Sequence, residues 1–286
     1  MNRDTCKYIA ILTMVCNHIA RMFLTPGNFL YESLSDIGYF AAMTMCYFLV
    51  EGYGYTHSKE KYGNRLLIFA AISQIPFCLA FTKEGVISFV NMNMIFTLFL
   101  CFLSGLMMVD IRTYIKLPGM RKNLCITGLV LASLYSDWGF LAPVFTIWFA
   151  EARLEIAGTA VNREKKRSGK VMPGRKSGTS RQKETVPGEF LHPENRKDRR
   201  LALWKVFGKA MVLFGIFNFI ENSETMSVGE NLFHSVCSVT GILVSGLCII
   251  YFYNGKRAQK HRDFSKWFFY IFYPAHLLLL GVLRLV

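Results

Sequence analysis

Nine near-continuous apolar runs, at 5–24, 33–55, 63–81, 88–108, 122–136, 138–153, 201–220, 231–253 and 265–284, occupy most of this 286-residue chain and are joined mainly by short polar links. Most match the length that a helix needs to cross about 30 Å of hydrocarbon, where a segment must satisfy its own backbone hydrogen bonds. A helix does so and an open strand does not. The pattern predicts an all-α, polytopic transmembrane helical bundle, and the 52% hydrophobic content argues against two soluble domains of the same total length. The fifth and sixth runs are short and meet at "SDWG", as in a tight hairpin. The first run contains Asn17, His18 and Arg21 and no small-residue cleavage site, so it is expected to remain as a span rather than be removed as a signal peptide.

Charge sets the expected topology. A net charge of +14 attracts phosphates of any kind, but its distribution follows the links. With a cytoplasmic N-terminus, the inner links are 1–4, 56–62, 109–121, 154–200 and 254–264. Of 33 Lys and Arg, only Arg21, Lys83 and Arg284 then fall on the outer side, and Lys209 lies within a span. This is the positive-inside arrangement, and it makes membrane lipid the expected contact and nucleic acid an unexpected one. Residues 158–200 combine basic residues with Gly, Pro and Ser and few apolar side chains. They predict a flexible basic cytoplasmic linker between a membrane domain at 1–157, holding spans one to six, and a second at 201–286, holding spans seven to nine. The eight cysteines form no C-x-x-C pair and read as small buried apolar residues, so no metal site is expected.

Ionisable groups in a bilayer core cost on the order of 2.5–3.5 kcal/mol, which marks the few present as site candidates. His18 lies about 20 Å up the first helix from its cytoplasmic start and His276 about 16 Å up the last, so residues from opposite ends of the sequence reach similar depth. Asn17 adjoins the first histidine, and Asn93 falls near the same level. Imidazole is the usual general base for activating an amine or hydroxyl, although a helix-to-helix hydrogen bond is the commoner use of one polar group in a bundle. Pro274 removes a backbone donor just before His276 and frees a carbonyl. Glu51 ends the second span near the cytoplasmic face. Gly52, Gly54, Lys59, Lys61 and Arg65 follow it, a glycine-punctuated, basic turn that on spacing alone reads as a charged membrane boundary and that could also receive the phosphates of a cytoplasmic cofactor. Asp137, at the outer turn, either orients an acceptor or caps the next helix.

The stretches "KYIAILTMVCNHIARMF", "FLVEGYGYTHSKEKYGNRLLIFAAISQIPF", "NMNMIFTLFL", "DWG" and "FYIFYPAHLLLL" together resemble the TraX family of bacterial integral membrane proteins, from about Lys7 to Leu280 apart from the linker. The family is associated with N-terminal acetylation of pilin subunits in conjugation. The resemblance implies an acetyltransferase of the bacterial cytoplasmic membrane that uses acetyl-CoA, and functional weight for His18, Glu51, Arg65, Asn93, Asp137 and His276. Where the family has Asp before the first-helix histidine, this chain has Asn17, which hydrogen-bonds but carries no charge. The expected reaction moves an acetyl group from cytoplasmic acetyl-CoA to an amine or hydroxyl of an acceptor peptide, pilin or envelope glycan. His18 or His276 is the base or a transient acyl carrier, Asn17 and Asn93 orient groups or donate to the oxyanion, and Arg65, Lys59 and Lys61 hold the phosphates beside Glu51. The rival expectation is a transporter or envelope-assembly partner without catalysis, although no internal repeat of the kind common in transporters is visible.

Overall fold

A computed structural model describes residues 1–110, 119–168, 196–256 and 262–286, and within them the chain forms helices and turns but no strand. The order is α1 (Arg3–Phe23), α2 (Phe29–Tyr55), α3 (Lys59–Phe81), α4 (Met94–Asp110), α5 (Gly119–Ala132), α6 (Leu141–Ser168), α7 (Arg196–Glu221), α8 (Val228–Ser238), α9 (Thr240–Leu247) and α10 (Arg262–Leu285). Side chains at the starts satisfy otherwise orphaned N–H groups. Asn2, Asn28 and Ser58 accept from Thr5, Leu30 and Lys61, and Ser227 forms a reciprocal capping box with Glu230.

Among the described residues, five stretches are long and apolar enough to cross a membrane: Phe29–Tyr55, Lys59–Phe81, Lys197–Glu221, Val228–Phe252 and Trp267–Leu285. The nine runs therefore do not map one to one onto nine such helices. α1 is long enough but carries Arg3, Asp4, Lys7 and Arg21. The run expected at 88–108 becomes helical only at Met94, and its apolar part, Met94–Gly105, is short, as is Asn123–Tyr135. The run at 231–253 is divided into α8, α9 and a π turn at Cys248–Phe252. Between α5 and α6, Trp138 adopts a left-handed φ of 64° and Gly139 follows at 29°, which turns the chain at "SDWG". Most of the expected linker lies outside the described residues; its described ends are helical, since α6 continues to Ser168 and α7 starts at Arg196.

α2 is the central helix. Burial covers 72% of its most apolar window, against 28–44% for the other four stretches. α1 packs along it, α6 and α9 press on other faces, α4 joins α3 to α6, and α10 lies against α3. Met43, Phe145, Phe207, Ile242 and Ile249 fill the interior between these helices. Outward, large apolar side chains are left exposed at helical spacing: Ile68, Ile72 and Ile75 on α3, and Val212, Ile216 and Ile220 on α7. A soluble domain would bury these stripes, whereas a bilayer covers them.

Lipid is as apolar as leucine, so the helices are held by close packing and polar contacts rather than by hydrophobic exclusion. Small residues allow the closest approaches. Gly38 lies directly under Asn17, Gly241 abuts the backbone carbonyl of Asp36, and Gly281 fits beside Leu79 and Ala80. A methyl group at 241 collides with backbone that cannot rotate away, whereas Gly208 has nothing within 4 Å of an added Cβ. We expect Gly241→Ala to lower the Tm of the purified protein by about 5 °C and Gly208→Ala to leave it unchanged or raise it; equal effects at both positions would contradict the α2–α9 packing.

Candidate functional site

His18 on α1 and His276 on α10 meet directly. His18 Nδ1 lies 2.9 Å from His276 Nε2, with the two rings parallel to within 3°. Both residues are buried. His276 is clamped from several sides: its Nδ1 is 2.9 Å from the carbonyl oxygen of Phe272, the Phe272 ring stacks on it, and Tyr273 meets it edge-on. His18 is bounded by the edges of Phe81 and Tyr273. Pro274 sits inside α10 between these contacts.

One turn below the pair, a cavity of about 620 Å³ runs along α1, α2, α3, α4 and α10. Its walls are graded. Arg3, Lys7 and Arg65 supply cationic groups at one end, beside Asp4; Phe48, Ile11, Met14 and Met94 line the interior; Tyr273, whose ring contacts both histidines, lines the other end, while His18 and His276 themselves lie behind it and do not line the cavity. From Arg3 to Met14 the α1 wall is about 16 Å long. The cations are supported by aromatic faces, Lys7 Nζ at 4.9 Å from the Phe269 centroid and the Arg3 guanidinium at 5.7 Å from that of Phe48.

Tyr273 joins the two parts. Its hydroxyl oxygen accepts a hydrogen bond from the Met94 amide at 3.3 Å, the first amide of α4, while its ring touches both histidines. Asn93 makes that arrangement possible. Its Oδ1 accepts from the amides of Ile95 and Phe96, and its Nδ2 donates to the Ala70 carbonyl at 2.7 Å and to Gln74 Oε1 at 2.8 Å. Asn93 thus caps α4, and both of its amide hydrogens are engaged, so it offers an oxyanion no free donor.

The other sequence-nominated residues lie apart from the pair. Asn17, a neighbour of His18 in sequence, is about 100° round the helix from it and donates to the Ser35 carbonyl at 3.2 Å. Asp137 lies beyond the histidines and faces Arg21, with 3.5 Å between oxygen and nitrogen. Glu51 is buried within a network of its own: Tyr253 donates to it at 2.8 Å, Tyr47 at 3.4 Å, and Arg3 Nε lies 3.8 Å away. Arg199 in turn donates to the Tyr47 hydroxyl at 3.1 Å. A buried carboxylate with these partners is satisfied, and it holds Arg3 at the cavity end instead of meeting an anion itself. Arg65 lines the cavity, but Lys59 and Lys61 do not. Lys59 lies over the Tyr53 ring at 4.5 Å, and Lys61 is exposed. Among the described residues no group of three or more His, Cys, Asp or Glu is arranged to hold a metal ion.

Arg3, Lys7 and Tyr273 were not singled out from the sequence. A signal for the first two existed: positions 3, 7, 11, 14 and 18 share one face of a helix, so Arg3, Lys7, Ile11, Met14 and His18 form a single stripe. Tyr273 carried none, being one of 13 tyrosines in an aromatic-rich chain.

Comparison with known proteins agrees with this frame. No solved structure matches the chain. A protein from Dichelobacter nodosus described as "Probable fimbrial assembly protein FimC, serogroup H1" is 34% identical over 151 residues, covering 50% of this chain and 59% of that relative. The family model described as "TraX protein" matches residues 2–157, which include Arg3, Lys7, His18, Arg65 and the capping Asn93 though not His276. A match over more than half of the 286 residues settles the family: this membrane protein belongs to the TraX family.

Proposed function

We propose that the protein is an integral acetyltransferase of the bacterial cytoplasmic membrane, which takes an acetyl group from acetyl-CoA at its basic face and passes it to an amine or hydroxyl of a pilin, peptide or envelope glycan. The observation that carries this reading is the graded cavity, cationic at one end and bounded at the other by a tyrosine in contact with two buried histidines. The residues suit the donor. Arg3, Lys7 and Arg65 match its phosphates, the arginines by paired hydrogen bonds, and the apolar interior matches a slender uncharged arm. Acetyl-CoA, once bound, supplies an acetyl thioester already activated for transfer.

The chain's own residues supply the rest. Glu51 lies beside Arg3, and Phe48, Met14 and Met94 give the interior an apolar wall. The histidine pair takes the proton from the acceptor as it attacks. The Tyr273 oxygen already accepts from Met94 at the positive end of α4, which leaves the hydroxyl proton for donation toward oxygen charge developing in the transition state. The family's link to pilus biology and the name of the D. nodosus relative support a pilin-like acceptor. That name equally favours a second reading, an assembly partner in which the same contacts only hold helices together.

Three outcomes test the acetyltransferase reading, and the first also separates it from the second. First, CoA should raise the Tm of the wild-type protein and of Lys83→Ala, and Arg65→Ala should lose most of that rise; no CoA-dependent shift in any of them favours the assembly partner. Second, Tyr273→Phe should reduce kcat for acetyl transfer by about 100-fold while keeping the CoA shift; an unchanged kcat would remove Tyr273 from the reaction. Third, in a cysteine-free background in intact cells, Ser223→Cys should react with a membrane-impermeant maleimide and Ser177→Cys should not; the reverse labelling would put the basic face outside, away from cytoplasmic acetyl-CoA.

A further inference from the structure

The contacts of the two histidines order their protons. A carbonyl oxygen can only accept, so the 2.9 Å contact between His276 Nδ1 and the Phe272 oxygen places a proton on His276 Nδ1. With one proton on each ring, His276 Nε2 is then a lone pair. Its 2.9 Å partner, His18 Nδ1, must be the donor. The proton of His18 is thereby spent, and its Nε2 carries the remaining lone pair; among the described residues that nitrogen has no hydrogen-bond partner. The chain of contacts has one direction: Phe272 carbonyl, His276, His18.

Resting on the acetyltransferase reading above, we propose that His18, through Nε2, is the catalytic base, and that His276 is a positioning residue that fixes the His18 tautomer through the Phe272 carbonyl. The two rings look equivalent by type and depth, but their surroundings differ. His276 has both nitrogens engaged, one on backbone and one on His18, and its ring is stacked on Phe272. It has no lone pair left to take a proton from an acceptor. His18 has one, and lies about one turn beyond Met14, the last α1 residue that lines the cavity, on the same helix face as Arg3, Lys7 and Ile11. In the step itself, His18 Nε2 accepts the proton of the acceptor N–H or O–H as the new C–N or C–O bond forms. It returns that proton to sulfur as the thioester C–S bond breaks, so the products are the acetylated acceptor and a free thiol, and no oxidant or reductant is needed. His276 stays neutral in outline and orients the ring that titrates, much as an outer partner orients a metal-bound histidine.

The test uses the full-length protein in lipid bilayers and two independent readouts. Nitrogen-15 NMR of histidine-labelled protein should show protons on Nδ1 of both His18 and His276 and a bare Nε2 on His18, assigned by the loss of signals in each single variant. In acetyl-transfer kinetics with a pilin N-terminal peptide as the acceptor, His18→Gln should lose about 10³-fold in kcat. His276→Leu should lose about 10- to 100-fold, and His276→Gln should recover most of that loss, because its amide oxygen can accept from His18 Nδ1 while its N–H₂ donates. A retained CoA-dependent rise in Tm identifies variants that are folded. A protonated His18 Nε2, or a His276→Gln variant as inactive as His18→Gln, overturns the assignment. Wild-type protein that transfers no acetyl group overturns the acetyltransferase reading and the base with it, and is distinguishable from an active enzyme whose variants rank in the opposite order.

Discussion

A polar side chain within hydrocarbon has to find its partner inside the protein, because lipid offers none, and the pairs that result determine how this bundle is assembled. The hydrogen bond between His18 and His276 ties the first described helix to the last. Arg3, Glu51, Tyr47 and Tyr253 bring α1, the central α2 and the end of the π turn together. Thr44 and Ser245 bond at 3.0 Å between α2 and α9, and Arg21 faces Asp137 at the far end of α1. Apart from the Tyr47–Glu51 bond within α2, each contact joins segments distant in sequence, and each would be a liability if its partner were removed.

These pairs also leave a cavity of graded chemistry on one side of α1. The helix presents Arg3 and Lys7 near its start, Ile11 and Met14 in its middle and His18 beyond them, so charge, apolar wall and imidazole follow one another along a single face. α10 supplies the opposite wall with Phe269, Tyr270 and Tyr273 before reaching His276. The start of α4, fixed by the Asn93 cap, reaches Tyr273 from the side. Short helices are often dismissed as imperfect spans. Here the late start of α4 is what allows a backbone amide to point at the tyrosine.

Much of this was legible in the chain. Apolar runs gave helices, and depth counted at 1.5 Å per residue brought His18 and His276 to one level before any contact was known. Depth alone carries no azimuth, however. Asn17 has nearly the depth of His18 but points at Ser35, and Asn93 has the right level but is used up in capping. The basic turn at Lys59 and Lys61 was attractive because charge clusters there, yet the cavity is lined by cations whose helix face turns inward, Arg3, Lys7 and Arg65. The start of the fourth run differs for a related reason. Hydropathy reads an apolar run from 88 onward as membrane helix, whereas residues before Met94 form the irregular approach to a cap, with Met92 bonded to Tyr135 and Asp137 by its backbone.

The central claim is that acetyl groups enter from the basic face and leave through the histidine pair. Its most direct test is release of free CoA thiol from acetyl-CoA by the purified protein in sealed vesicles loaded with an acceptor peptide that has a free N-terminal amine, with the Arg3 end of α1 facing outward and acetyl-CoA added only outside. The account predicts thiol release well above that of protein-free vesicles, lost in His18→Gln and absent when the protein faces inward. Release equal to that of empty vesicles, or unchanged in His18→Gln, would contradict it.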